Sequence, residues 1–247
     1  MISLQFDGPL ALLRLDRPEA RNALSRAGWI GLAEAIERVR GSQARALVLG
    51  SAHGAAFCAG SDLAEIGSLA DAPDQRAEFR QLMRRAMDPL RDLPIPTLAA
   101  IDGDCFGAGV ALALACDIRI GGARARFAIT PARLGLSYPQ EDVARVVAAV
   151  GRGQAARLLF GGETISTAEA ARIGLIELAV SDAGDEAMRL AGLCAANAAS
   201  SIAALKSVLD AGPGEARDAL FDDCFDHPEF RARVAAFHAR PRRAKTD

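Results

Sequence analysis

Ala56-Phe57-Cys58-Ala59-Gly60-Ser61-Asp62-Leu63 and Asp102-Gly103-Asp104-Cys105-Phe106-Gly107-Ala108-Gly109 share one plan. Each follows a short apolar run, 46–49 in the first case and 97–101 in the second, that reads as a buried strand. Each continues through small residues into a helix start, at Ser61/Asp62 and at Ala108. A helix start presents N–H groups that have no intrahelical acceptor and carry partial positive charge. Small residues let a ligand approach those groups closely. Two such starts converging on one point can hold a developing oxyanion between them. Taken singly, each stretch is also what a tight strand-to-helix connection looks like.

Upstream, residues 10–15 read as a strand, with Phe6 in a short strand before it and Asp7-Gly8-Pro9 as the turn. Ser25 caps a helix that runs to about Arg40, with Ile30, Ala33, Ile36 and Val39 at helical spacing. Residues 50–60 read as a loop. Residues 74–91 form an amphipathic helix with Phe79, Leu82, Met83, Ala86, Met87 and Leu90 on its apolar side, closed off by Pro94 and Pro96. Residues 103–109 read as a glycine-rich turn, followed by a helix over 108–115 and short strands over 118–120 and 126–129. From about residue 140 the pattern is helical almost throughout: 141–150, 153–160, 167–172, 184–197, 201–210, 214–225 and 228–238. Residues 240–247 look like a frayed basic tail. The chain therefore divides into an α/β core, 1–185, and a helical C-terminal region, 186–247.

The 247 residues include 29 Lys+Arg and 31 Asp+Glu, a net charge of −2, so there is no global field for nucleic acid or an anionic membrane. With 51% hydrophobic residues and 24% charged, a wholly disordered chain is excluded. The richest apolar stretch, 106–116, is broken by glycines and bounded by Asp104 and Asp117, far short of the roughly 20 residues a span needs. The N-terminus shows no basic region followed by a long apolar run, and a cytoplasmic protein is expected. The five cysteines are odd in number and never spaced Cys-x-x-Cys, which argues against a disulfide framework or a zinc site.

A dinucleotide site is the competing reading of the glycines. Gly151-Arg152-Gly153-Gln154-Ala155-Ala156 fits G-x-G-x-x-A by letter but follows a predicted helix instead of a strand. Gly107-Ala108-Gly109 follows a strand but has Leu112 where the third small residue belongs. No G-x-S-x-G elbow occurs. The histidines, His53, His227 and His238, have no partner at metal spacing, so no metal is expected; His53, beside the first loop, reads either as a surface-loop residue or as one that reaches a ligand phosphate, and His227, before Pro228, as a cap or turn residue. Tyr138, the only tyrosine, sits in a loop stiffened by Pro131 and Pro139. Glu141 and Asp142 start the next helix, where acids suit the helix dipole.

Several ordered stretches resemble the crotonase (enoyl-CoA hydratase/isomerase) superfamily. They are Arg17-Pro18-Glu19-Ala20-Arg21-Asn22-Ala23-Leu24, Phe57-Cys58-Ala59-Gly60-Ser61-Asp62-Leu63, and Ala100-Ile101-Asp102-Gly103 with Gly107-Ala108-Gly109 and Cys116-Asp117; residues 127–136, 170–175 and 234–237 fit later landmarks. The resemblance implies an α/β fold, a crotonase-like spiral of ββα units, with a helical C-terminal region that builds a homotrimer or hexamer and completes part of the coenzyme A site. It implies an acyl-CoA thioester as partner and no cofactor beyond the coenzyme A carried by that substrate. The thioester carbonyl would sit between the N–H groups of Ser61 and Ala108. Arg21, Ala23, Ala59, Asp62 and Leu63 would line the adenine and pantetheine, and the 74–91 helix would wall the acyl pocket.

The sequence departs from the hydratase pattern at the two glutamate positions, which here read Ala111 and Pro131. A positioned acid or base is worth roughly 10²–10⁴-fold, so losing both leaves hydration very weak. Thr130-Pro131-x-x-Leu134-Gly135-x-x-Tyr138 is similar to methylmalonyl-CoA decarboxylase, whereas family isomerases use a single carboxylate in the loop that reads Pro139-Gln140-Glu141-Asp142 here. A phenol of pKa ~10 is protonated at neutral pH, so Tyr138 reads as an acid or donor and Glu141 as the candidate base. Isomerase- or decarboxylase-like chemistry is favoured over hydration. The alternative is a non-catalytic acyl-CoA-binding protein of the same fold.

Overall fold

The computed structural model describes residues 2–239. The stretch 240–247, read above as a frayed tail, lies outside the described residues. Strands β1 (Ile2–Asp7) and β2 (Leu10–Leu15) form an antiparallel hairpin, its turn made possible by Gly8 at a φ of +53°. Helix α1 (Arg26–Arg40) starts where expected: the Ser25 Oγ accepts the Gly28 N–H at 3.2 Å.

A unit of strand, short strand and helix then repeats three times. The first comprises β3 (Ala46–Ser51), β4 (Ala56–Cys58) and the helices α2 (Leu63–Ser68) and α3 (Pro73–Arg91). The second is β5 (Thr97–Ile101), β6 (Asp104–Phe106) and α4 (Ala108–Ala113). The third is β7 (Ile118–Gly121), β8 (Arg126–Ala128) and α5 (Gln140–Gly161). The chain continues through β9 (Ile165–Ser166), α6 (Thr167–Arg172), β10 (Leu178–Ala179), α7 (Ala183–Ala195), α8 (Ala199–Ala211), α9 (Glu215–Asp226) and α10 (Pro228–His238).

The first strand of each unit joins a six-stranded sheet, β1-β2-β3-β5-β7-β10, parallel beyond the hairpin. The second strand of each joins a smaller sheet, β4-β6-β8-β9, in which the first three run parallel. This is the expected spiral of ββα units. The stretches 50–60 and 103–109, read above as loop and turn, each contain a three-residue strand. Three residues show no periodicity; β4 and β6 exist through their ladder partners, Ala56 beside Asp104 and Cys105 beside Phe127. The helices expected over 141–150 and 153–160 are both present within α5, which is broken between them at Gly151, at φ 74° and ψ 160°.

Trp29, Leu32 and Ile36 of α1 and Met87 and Leu90 of α3 are fully buried in one core with Leu13, Leu47, Leu49 and Phe57. Each such side chain contributes about 1.5–3 kcal/mol relative to exposure. The other face of the large sheet is covered by α7, whose Ala183, Ala187 and Ala191 pack with Leu10, Val48, Leu98 and Ile120. A division at residue 185 cuts this helix, so the core reaches to its end. Beyond it, Lys206 of α8 donates to the Asp117 carboxylate at 2.8 Å and to the Ile95 carbonyl at 3.2 Å. Helices α9 and α10 bury no residue of their own in the monomer.

Candidate active site

Because β4 and β6 are parallel neighbours, the loops leaving their C-terminal ends emerge side by side. They touch without side chains between them. A methyl group on Gly60, whose φ is +109°, would lie 3.1 Å from the Phe106 carbonyl oxygen and 3.4 Å from the Ala108 nitrogen. One on Gly109 would lie 2.3 Å from the Cys58 carbonyl oxygen, inside van der Waals contact. Ala108 is the first residue of α4, and Ser61 lies one residue ahead of Asp62, which caps α2. Among the described residues no backbone acceptor holds the N–H of either Ser61 or Ala108.

The 17–24 segment forms a third wall alongside the first loop. The Ala59 N–H donates to the Arg21 carbonyl, Leu24 N–H to the Gly60 carbonyl, and Asp62 N–H to the Leu24 carbonyl, at 2.8–3.0 Å. Asn22 holds this segment in place, a role the sequence reading did not assign. It sits at φ 58°, its Oδ1 accepts the Arg17 N–H, and its amide donates to Ser51 Oγ and to the carbonyls of Ala56 and Phe57. The signal was present: asparagine is among the few residues that tolerate a left-handed backbone. The Ala23 carbonyl accepts from Arg17. The Arg21 side chain pairs with the buried Asp104 and lies over the Phe106 ring. Asp62 accepts the Ala64 N–H and pairs with Arg17 at 2.8 Å, and that guanidinium holds its carboxyl below the usual range. Leu63 is exposed. Arg21, Ala23, Ala59, Asp62 and Leu63 are thus brought to one edge of the fold, with Arg21 and Asp62 already engaged by protein partners.

Tyr138 is buried, and its hydroxyl donates to the Gly107 carbonyl at 2.9 Å. Burial pushes its phenol well above the ordinary range, with the nearby Asp142 adding to the effect. Its proton is committed to the backbone of the second loop, so of the two expected roles, acid or donor, the hydroxyl is engaged as a donor. Glu141 is exposed in the first turn of α5, and its own backbone N–H and the Gln140 amide hold its carboxyl low. The buried acid of this loop is Asp142, with no exposed side-chain surface. Burial raises its carboxyl against the opposing pull of Arg84 and Arg145. Helix phase was the available signal, since Asp142 lies one turn before the buried Val146 and Glu141 does not.

Ala111 is fully buried in α4, and Pro131 opens a 3-10 turn over Pro131–Leu134. His53 Nε2 lies 3.0 Å from Asp16, and His227 Nδ1 accepts the Glu229 N–H as the cap of α10. Cys58, Cys105 and Cys116 are buried free thiols, Cys58 pushed up to about 12 by burial. Among the described residues no group of three or more His, Cys, Asp or Glu is placed to hold a metal ion, and no single helix is long and apolar enough to cross a membrane.

The sequence model of the enoyl-CoA hydratase/isomerase family matches residues 5–224. A Mycobacterium tuberculosis protein named "Probable enoyl-CoA hydratase echA6" is 33% identical over 248 residues, covering 98% of each chain. A solved structure from Hyphomonas neptunium assigned to the same family superposes with a TM-score of 0.91 at 33% identity, covering 96% of this chain and 94% of that one. An enoyl-CoA hydratase/carnithine racemase of Magnetospirillum magneticum gives 0.90 at 29% identity, with 96% and 92% covered. The chain belongs to the enoyl-CoA hydratase/isomerase family of the crotonase superfamily.

Proposed function

We propose that this chain is an acyl-CoA enzyme that stabilises a thioester enolate, with the Ser61 and Ala108 N–H groups as the two donors to its oxygen. One observation carries the reading: two adjacent loops, in contact through Gly60, present these N–H groups with no backbone acceptor among the described residues. Such donors act where charge develops, and each is worth about 2.7–4 kcal/mol in the transition state.

Hydration is disfavoured. The resemblance puts Ala111 and Pro131 where hydratases hold glutamates, and neither side chain can activate water. Loss of carbon dioxide from Cα asks least of this site. The Cα–carboxylate bond breaks, its electron pair moves into the enolate, and a proton from solvent closes Cα. Isomerisation needs a base that removes one proton and returns it, and Glu141 is the ionised acid at the loop. The favoured reading is therefore isomerase- or decarboxylase-like chemistry on an acyl-CoA. A homotrimer or hexamer and a cytoplasmic setting are part of the same proposal.

A panel of CoA thioesters that includes α-carboxylated and unsaturated acyl groups tests it. Turnover of a carboxylated or unsaturated member with little hydration supports the reading. Tight binding of the panel with no turnover favours a non-catalytic acyl-CoA-binding protein. Glu141→Gln separates the two chemistries, since it abolishes isomerisation and spares decarboxylation.

A further inference from the structure

The Gly107–Ala108 peptide has its two polar ends on opposite sides, because a trans peptide points its C=O and N–H apart. Its N–H is the Ala108 donor that the proposed function uses. Its C=O is the acceptor of the Tyr138 hydroxyl at 2.9 Å. Gly107 lies at φ 50°, ψ −120°, a conformation whose steric cost only glycine escapes. Glycine on one side leaves the orientation of this peptide to whatever grips its ends. The Gly107 N–H is fixed to the Ala128 carbonyl at 2.8 Å, which anchors the residue but not the peptide that follows it. The carbonyl also receives the Val110 N–H at 2.9 Å and, more distantly, the Ala111 N–H at 3.4 Å, both from the opening turn of α4. Among the described residues, the phenol is the one group on this carbonyl from outside α4, and it comes from a residue 31 positions away.

We infer that Tyr138 is a positioning residue for the enolate site: its hydroxyl holds and polarises the Gly107–Ala108 peptide so that the Ala108 N–H faces the thioester oxygen. The inference rests on the proposed oxyanion role of Ala108. The connected groups are Tyr138 O–H, Gly107 C=O, Ala108 N–H and the substrate oxygen. Hydrogen bonds in series strengthen one another, by perhaps 10–30% per bond. A donor on the carbonyl therefore makes the N–H at the other end of the same peptide a better donor. This differs from proton delivery: the phenolic proton stays on Tyr138 throughout.

The test uses the fact that Tyr138 is the only tyrosine. Tyrosine with one or two ring fluorines, supplied during expression, enters the chain at this position alone and grades the acidity of the donor. The readout is the carbonyl stretching frequency of bound acyl-CoA thioesters, acetyl to octanoyl, carrying carbon-13 at the thioester carbonyl. In the native protein the frequency falls on binding. It falls further with each added fluorine and rises towards the free value in Tyr138→Phe, while affinity for the thioester changes little. Turnover of an accepted substrate drops about tenfold in Tyr138→Phe with KM nearly constant, less than the roughly 10²–10³-fold that loss of a whole oxyanion donor costs. A packing role moves neither quantity with fluorination. A native shift that is identical across the native, fluorinated and Tyr138→Phe proteins overturns the positioning role and leaves the enolate reading standing. No shift in the native protein overturns both. Should Tyr138→Phe fail to fold, the fluorinated series decides the matter by itself.

Discussion

Arg84 of α3 and Asp142 of α5 form an ion pair at 2.6 Å, with the Asp142 side chain fully buried and its second oxygen without a hydrogen-bond partner among the described residues. The pair ties the helix expected to wall the acyl pocket to the helix that follows Tyr138. Asp88 and Arg145 extend it, with Arg145 donating to Asp88 at 2.7 Å.

Breaking one side of a buried pair leaves an uncompensated charge, at a cost of about 3–5 kcal/mol. Arg84→Ala is expected to lower stability by an amount in that range near neutral pH. Asp142 binds its proton more tightly folded than unfolded, since burial raises its carboxyl. Its contribution therefore favours the fold below the ordinary aspartate value of ~3.9 and is withdrawn as pH rises through the raised folded value. Arg84→Ala raises that value further, so its damage grows between pH 4 and pH 8. Asp142→Asn flattens this part of the profile. Thermal melts of the three proteins across that range check both statements; a penalty for Arg84→Ala that shrinks with rising pH contradicts them.

Ala108 is the first residue of α4, a position that accepts proline because its N–H is free in any helix. Ala108→Pro therefore deletes one proposed oxyanion donor with little disturbance of the fold. Turnover of an accepted thioester should fall roughly 10²–10³-fold while the melting temperature stays within a few degrees. Unchanged turnover would remove Ala108 from the mechanism.

Gly109 lies against the backbone of the first loop, where an added methyl would meet the Cys58 carbonyl oxygen at 2.3 Å. Gly109→Ala must push the two loops apart. Overpacking of this kind costs roughly 1–3 kcal/mol, and turnover is lost together with stability. Gly67→Ala, with open space around the new methyl, is the control expected to leave the melt close to native.

Leu205, Leu209, Phe221 and Phe237 are each more than 60% exposed on the C-terminal helices. The proposed trimer or hexamer would cover such apolar surface. Sedimentation at micromolar concentration should give a trimer or hexamer, and Leu209→Glu combined with Phe221→Glu should give a monomer. A monomeric native protein would leave this surface unexplained.

The main architecture was legible because it is written in local patterns. Ser25 before Ile30, Ala33 and Ile36 announces α1, and Phe79, Met83, Met87 and Leu90 announce α3. The common plan of the two small-residue loops is legible as two strand-to-helix connections, which the structure sets side by side. What stayed hidden depends on contacts distant in sequence. Strands β4 and β6 are too short to declare themselves without a neighbour. The direction of the Tyr138 hydroxyl is set by Gly107, 31 residues earlier, and nothing in the Tyr138 loop itself reveals it. Glu141 and Asp142 are adjacent acids whose fates differ because α5 turns one outward and the other onto α3.

The four hydrogen bonds of the Asn22 side chain also bear on the order of folding. Its amide is satisfied by Ser51, Ala56 and Phe57, which lie 29, 34 and 35 residues further along. None of those groups is in place until β3 and β4 have assembled. The 17–24 segment therefore closes late as the chain folds and is the first part of this edge of the fold to open when it breathes, at a lower free-energy cost than global unfolding.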